Sequence, residues 1–400
     1  MICQVKKYFD KLTTDGSAEP SHVAVVARDD EILSTGAEDF VSLATKILKQ
    51  LNVVALVVAA PPFAFLEVLL QRMPPDSAEI IPLDTETRTF LHDIPVVRAE
   101  EFNSEDPSRL IALLGQRKGV LVEGVGIVAT GTFTVEMAYI NYSSVYHALY
   151  VKTLLDFLQQ LAPNREELRT LTPLWNQLAA NIPDRFSLAE QPLDTPDTIL
   201  AAIDETGRKT VSLRLVDSFF GNISCRYDNA LYISQTGASL DELAGCIDLV
   251  TDGNVSTAGI TASSELVAHR AVYRQSDALT IVHGHPKLTV TLSLLCEEQG
   301  CRIEDCWKDC DRVRLLGGHP LVAGEVGAGG IARKVPPVIG RTGTAIVYGH
   351  GVFATGRSDF SDPLRTMIQL ENFCRQEYLH RLNACLNSAD RDFFATLIAS

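Results

Sequence analysis

The chain has 400 residues, 46% of them hydrophobic and 21% charged, with a formal net charge of −15. That length allows two or three domains with sizeable cores, and the balance is that of an ordinary globular protein rather than a disordered one. The acidic excess excludes a general nucleic-acid binder, which needs basic side chains to neutralise phosphates, but it leaves room for a small phosphorylated metabolite in a local pocket.

The first residues, Met1 to Tyr8, contain no apolar signal core. The longest apolar run, 53–66, is too short to span a bilayer and is interrupted by Pro61-Pro62. The expectation is a cytoplasmic protein without a membrane partner. An odd number of cysteines, nine, in a long chain without a secretion signal points to free thiols. Four of them, Cys296, Cys301, Cys306 and Cys310, are separated by gaps of four, four and three residues. Those gaps match no metal-knuckle spacing and no Cys-x-x-Cys occurs, so the cluster reads as ordinary thiols, with a regulatory disulfide or a metal as the alternative.

Along the chain, two halves repeat one pattern. Leu56-Val57-Val58-Ala59-Ala60-Pro61 parallels Ile281-Val282-His283-Gly284-His285-Pro286, and the segment from Gly124 to Gly131 parallels that from Gly349 to Gly356. Val58 and Val125 are 67 positions apart, as are His283 and His350, and Gly115 and Gly340 fall on the same offset of 225. Several matches on one offset mark a repeat. The first copy is shortened: if Thr35-Gly36 matches Thr236-Gly237, Thr35 lies 23 positions from Val58, against 47 from Thr236 to His283. The proline-rich stretch between 162 and 197, with Asn181-Ile182-Pro183-Asp184 and Pro192 to Pro196, reads as the junction. The organisation expected is 1–180 for the first copy, 181–197 for the linker and 198–400 for the second copy.

In the second half, a helix begins at 197–203 and a strand at 231–234 precedes the Thr236-Gly237 turn. Helical spacing over 264–274 places Val267, Ala268, Ala271 and Val272 on an apolar face. A strand follows at 278–283 and a helix at 288–298. His319 and the glycine-rich run 324–330 read as loops, the latter as a mobile one over a pocket. Strands at 344–348 and 352–355 flank a turn, and a long helix at 362–386 has Pro363 in its first turn. This order indicates an α/β layered domain.

His283 and His285 stand at i, i+2 in a β-type run, so a strand sends both to one face. His350 lies between Gly349 and Gly351, which permit a sharp turn. Three imidazoles with an open fourth position are a common catalytic zinc arrangement. In the first half Val58, Ala60 and Val125 stand at these places, and none can donate to a metal.

The motifs Gly221-Asn222-Ile223-Ser224, Thr236-Gly237 and Ser263-Ser264-Glu265 with His269 and Tyr273-Arg274, followed by the three histidines, occur in the order of the class II aldolase/adducin family. The second half resembles that family closely and the first half weakly. The resemblance implies a three-layer domain, a central, mostly antiparallel sheet flanked by helices, present twice with the first copy degenerate. It implies Zn²⁺, or another divalent transition metal, on His283, His285 and His350, and Glu265 as general base, although Glu265 also reads as a first-turn glutamate of a helix. Asn222, Thr236, Gly237, Ser263 and Ser264 would form an anion cradle; the same residues also read as turns and an N-cap. Phe219-Phe220 departs from the small or hydroxyl residue the family often carries there, which puts a phosphate in doubt and leaves a carboxylate or a bulkier apolar substrate open.

The implied function is a metal-dependent, aldolase-type lyase acting on a small hydroxy-carbonyl compound through a metal-stabilised enediolate, a sugar phosphate being the family's best-known case. The alternatives are an epimerase, dehydratase or decarboxylase on the same site, or a non-enzymatic adducin-like assembly protein. The family also implies a homo-oligomer; with two copies per chain, a dimer would imitate a tetrameric ring.

Overall fold

The computed structural model describes residues 1–217, 220–251, 257–296, 298, 301–324 and 327–399. The chain divides into two compact units, one formed by Met1–Gln177 with Leu382–Ser400, the other by Leu178–Arg381. Residues 180–195 hold no helix or strand, whereas two short helices, Arg165–Thr170 and Thr172–Ala179, occupy the start of the proline-rich stretch.

The first unit is built on strands β1 (Val23–Arg28), β2 (Ile32–Gly36), β3 (Ala55–Ala59), β4 (Glu79–Ile80), β5 (Ile94–Val97), β6 (Gly119–Val122) and β7 (Gly126–Gly131). Their order is β2-β1-β3-β7-β6-β5-β4, antiparallel except for β5 beside β6. The 25-residue helix Val135–Gln159 contains neither glycine nor proline, is capped by Thr134, and is buried almost all round, polar Asn141, Ser144 and His147 included.

The second unit has β8 (Asn222–Tyr227), β9 (Ala230–Ser234), β10 (Ile247–Thr251), β11 (Thr280–Gly284), β12 (Arg314–Leu316), β13 (His319–Val322), β14 (Thr344–Val347) and β15 (Gly351–Gly356). The order is β10-β9-β8-β11-β15-β14-β13-β12, antiparallel except for β13 beside β14. Every residue of β11 is buried, so this central strand tolerates apolar and self-satisfied polar side chains only.

The two sheets share one topology. β3 and β11, β5 and β13, β6 and β14, and β7 and β15 all lie 225 positions apart, and the single parallel pair recurs at the same place. The long helices Val135–Gln159 and Ser361–Cys385 follow the last strand of each copy. The second copy adds β10 and the helix Ala258–Thr261 between β9 and β11, which accounts for its longer spacing there.

Strand register corrects one sequence match. Val26 pairs with Leu56 and Ser34, while Ser224 pairs with Ile281 and Ile233. Thr35-Gly36 therefore corresponds to Ser234-Gln235, not to Thr236-Gly237. Three other expectations change. His319 opens strand β13 instead of lying in a loop. The glycine-rich run becomes the helix Gly327–Lys334, Glu325 and Val326 lying outside the described residues; its Ile331 joins the apolar cluster of Ala268 and Val272. The helix expected over 288–298 is Lys287–Ser293. No helix among the described residues is long and apolar enough to cross a membrane.

Candidate functional site

The site is assembled on the central strand of the second sheet. His283, in β11, stands opposite Asn222 of β8 and Phe353 of β15, so these three side chains form a row across three strands on one face. Phe353 stacks flat on His283 with ring centroids 4.0 Å apart. His285 follows at i+2, just past the end of the strand, and Phe220 stacks on it at 5.4 Å and 9°. Phe220 is only 3% exposed, so its ring is spent on His285; Phe219 lies outside the described residues. His350 arrives from the turn between β14 and β15, where Gly349 takes φ +57°.

The three imidazoles have ligand nitrogens within 4.8 Å of one another. Nδ1 of His283 lies 2.9 Å from the Val352 carbonyl. A carbonyl only accepts, so Nδ1 carries a proton, and Nε2 is the nitrogen left available to a metal. That Nε2 faces Nε2 of His285 at 2.9 Å, so a proton or a cation must lie between the two nitrogens. The donor set is thus suited to a divalent cation. Gly351 keeps the approach open, since a Cβ there would meet the Gly284 carbonyl at 2.5 Å and the rings of His283 and His285 at 3.0 Å.

Glu265 occupies the N-cap position of the helix Leu266–Gln275, but its side chain does not cap the helix. It reaches instead toward the histidines: Oε1 is 2.9 Å from His350 Nε2 and Oε2 is 3.2 Å from His283 Nε2. Asn222 donates from Nδ2 to Oε2 at 2.7 Å. Burial by itself pushes the Glu265 carboxyl up; His283, His350 and the Asn222 amide outweigh it and hold the group below its ordinary value.

The remaining predicted residues meet beside Glu265. Gln235 and Ala262 form an isolated bridge. The Thr236 hydroxyl donates to the Ala262 carbonyl at 2.9 Å, and Ser263 Oγ accepts from the Glu265 N–H at 3.2 Å. Ser263 is buried, while Thr236, Gly237 and Ser264 are exposed. Thr236 and Asn222 Nδ2 already have protein partners, whereas Asn222 Oδ1 is buried without one; the exposed groups at Gly237 and Ser264 are the ones that face outward. Val267, expected on the apolar face, is 57% exposed.

Sequence reasoning named Ser224, His269 and Tyr273 within the motifs but gave them no role; they form a buried cluster beside Glu265 and Phe353. Ser224 Oγ lies 2.6 Å from His269 Nδ1 and 2.8 Å from the Tyr273 hydroxyl, and Tyr273 also donates to the Ser224 carbonyl at 3.1 Å. His269 presents its ring edge-on to Phe353, and its burial, against the opposing charge of Glu265, pushes its pKa down to about 3. The i, i+4 spacing of Glu265, His269 and Tyr273 was the available signal: it puts all three on one helix face.

Residues 201–378 match the family model described as Class II Aldolase and Adducin N-terminal domain. No curated protein matches the chain. Among solved structures, an L-fuculose-1-phosphate aldolase from Thermus thermophilus is similar at 24% identity over 47% of this chain and 97% of that one, with a TM-score of 0.39. A sugar-phosphate aldolase from Thermotoga maritima is similar at 18% identity (48% and 97% covered, TM-score 0.36), and an aldolase II superfamily protein from Pseudomonas syringae at 16% (52% and 86% covered, TM-score 0.36). The motif order and this match agree: residues 201–378 form a domain of the class II aldolase and adducin family.

Proposed function

We propose that the second unit is a metal-dependent lyase that makes or breaks a carbon–carbon bond in a small hydroxy-carbonyl compound, with a sugar phosphate as its substrate class. The observation that carries this reading is the convergence of one buried carboxylate, Glu265, on His283 and His350. His283, His285 and His350 would hold a divalent transition metal, Zn²⁺ first among them by the preference of imidazole ligands. When bound, such an ion supplies Lewis acidity, drawing electron density from a substrate carbonyl and stabilising the negative charge that develops on its oxygen.

The chain's own groups do the rest. Glu265 is ionised in the resting site and is the base that exchanges a proton with the substrate beside its carbonyl. Asn222 fixes the carboxylate by holding Oε2, which leaves Oε1 directed at His350. Val352 fixes the tautomer of His283, and Phe353 and Phe220 fix the planes of His283 and His285. The anionic end of the substrate lies against the backbone of Gly237 and the hydroxyl of Ser264, with Thr236 and Ser263 shaping the turn that presents them.

Metal analysis and an aldol-cleavage assay on a panel of ketose 1-phosphates test this. His283→Ala is expected to lose the ion of this site together with the activity, and Glu265→Gln to keep the ion while turnover falls by about 10²–10⁴-fold. A chain that cleaves substrate with the His283→Ala/His285→Ala pair in place, or with Glu265→Gln at parental rate, would sink the reading.

A further inference from the structure

The seven-residue helix Lys287–Ser293 follows His285 directly. Pro286 is its N-cap, and every residue from Leu288 to Ser293 is buried. The first N–H groups of a helix have no intrahelical acceptor, and buried ones must find a partner elsewhere. The proline side chain cannot accept. Glu371, from the helix Ser361–Cys385, supplies the acceptors. Its Oε1 accepts from the Leu288 N–H at 3.1 Å, and its Oε2 from the Thr289 N–H at 3.0 Å and the Thr289 hydroxyl at 2.9 Å. At 1% exposure, this carboxylate is held by three donors and by the positive end of the helix dipole. The same long helix backs the strand that carries His283: a Cβ on Gly284 would lie 2.6 Å from the Met367 methyl group.

The other end of the helix is tied to His350. The Ser293 hydroxyl donates to the Val290 carbonyl at 2.7 Å and accepts from the Gly349 N–H at 2.9 Å. Gly349 precedes His350 in the turn between β14 and β15. One short buried helix therefore joins two ligands: His285 at its start, through Pro286, and the His350 turn at its end, through Ser293.

The first copy lacks both ties. At the offset of 225, Tyr146 stands for Glu371 and Val68 for Ser293. The offset holds into the long helices, since a Cβ on Gly131 would collide with the Thr134 carbonyl as one on Gly356 would with that of Asp359. Tyr146 meets Phe65 edge-on with ring centroids 5.7 Å apart, an apolar contact where the second copy has a charged cap. The capping carboxylate and the bridging hydroxyl are absent from the copy that lacks the imidazoles.

We propose that Glu371 and Ser293 are positioning residues that set the separation of His285 and His350 through this helix. The inference rests on the metal reading above. Both residues act through the backbone: Glu371 fixes the chain just after His285, and Ser293 fixes the chain just before His350. Glu371→Gln keeps the shape of the cap but turns an NH₂ group toward a donor, so a buried N–H loses its acceptor and the start of the helix shifts. His285 moves with it. Metal sites depend on donor placement to within about 0.5 Å, so the shift is read in metal affinity.

The test uses the full chain. Zn²⁺ affinity is measured by competition with a chromophoric chelator, and the visible spectrum is recorded with Co²⁺ as the probe. Glu371→Gln is expected to bind Zn²⁺ at least about tenfold more weakly than the parent, and Ser293→Ala about threefold to tenfold more weakly, each with a changed Co²⁺ band. Ile199→Ala, at a buried position of the helix Pro196–Ser212, is the control: it should lower the unfolding temperature and leave affinity and band as in the parent. Should Glu371→Gln fail to fold, Ser293→Ala, which removes a single hydroxyl, carries the test. Parental affinity with an unchanged band in both variants overturns the proposal and leaves the metal reading standing. Affinity that falls in step with unfolding temperature in all three variants overturns it as well, reducing both residues to a general structural role. A parent that binds no ion at the histidines sinks the metal reading and this inference with it.

Discussion

The two copies of the fold differ at the strand pair that matters most, β3 with β7 against β11 with β15. The register is the same: Val58 faces Ala24 and Val128, while His283 faces Asn222 and Phe353. So is the close backbone approach: a Cβ on Gly126 would lie 2.4 Å from the Ala59 carbonyl, as one on Gly351 would lie 2.5 Å from that of Gly284. What changes is the filling. In the first copy Val58 is buried in an apolar cluster with Ala24, Leu56 and Val128, and Val125 packs against it. The glycine serves the backbone and persists in both copies; the imidazoles serve the chemistry and persist in one. Fold and site are therefore separable demands on the same strands.

The equivalence of the two glycines predicts the largest effect. Gly351→Ala and Gly126→Ala should each destabilise the chain by more than about 2 kcal/mol, since backbone must move to admit the methyl group. Only Gly351→Ala should also weaken metal binding, because its methyl would press on His283 and His285. Thermal unfolding together with metal titration reads both; equal metal loss in the two variants would break the comparison.

A smaller effect is expected from returning an imidazole to the first copy. Val58→His should cost about 2–3 kcal/mol by burying an unpaired polar ring. With Ala60→His and Val125→His added, the restored trio should bind Zn²⁺ at least about tenfold more weakly than the native one. Ala24 and Val128 stand where Asn222 and Phe353 orient the working site, and lost orienting partners typically cost that much. Calorimetric titration giving native-like affinity would show these partners to be dispensable.

The smallest effect concerns pH. His269 has its pKa pushed down to about 3 by burial, so the unfolded chain takes up that proton first. The stability this contributes is present above about pH 6.5 and is lost as pH falls toward 3. The loss is on the order of a few kcal/mol. Glu265, also lowered, adds in the same direction below its own ordinary value. Denaturant titrations of metal-free protein should show a shallower acid decline for His269→Gln, which can still meet Ser224; an unchanged slope would remove His269 from the account.

Much of the fold was legible in sequence because its signals are local. Strands β11, β14 and β15 announce themselves as β-branched runs bounded by glycine, and the helix Ser361–Cys385 by its 3.6-residue period. The helix Gly327–Lys334 was not legible, because three glycines in its first turn argue against helix; packing of Ile331 against Ala268 and Val272 overrides them. The role of Glu265 was read from the family resemblance and not from its local sequence, for a similar reason. A glutamate at a helix start has a sufficient local explanation, and its N-cap position is real, yet its side chain answers to residues 18 and 85 positions away.

The sequence by itself determined the repeat, the loss of three imidazoles from the first copy and the pairing of His283 with His285, because each depends on residue identity at fixed spacing along one chain. Only the tertiary structure decided which atoms face one another. The tautomer of His283, the hold of Asn222 on Glu265 and the stacking of Phe220 and Phe353 on the ligand rings all depend on strand register and helix placement, and those are set by packing of the whole unit rather than by any local stretch.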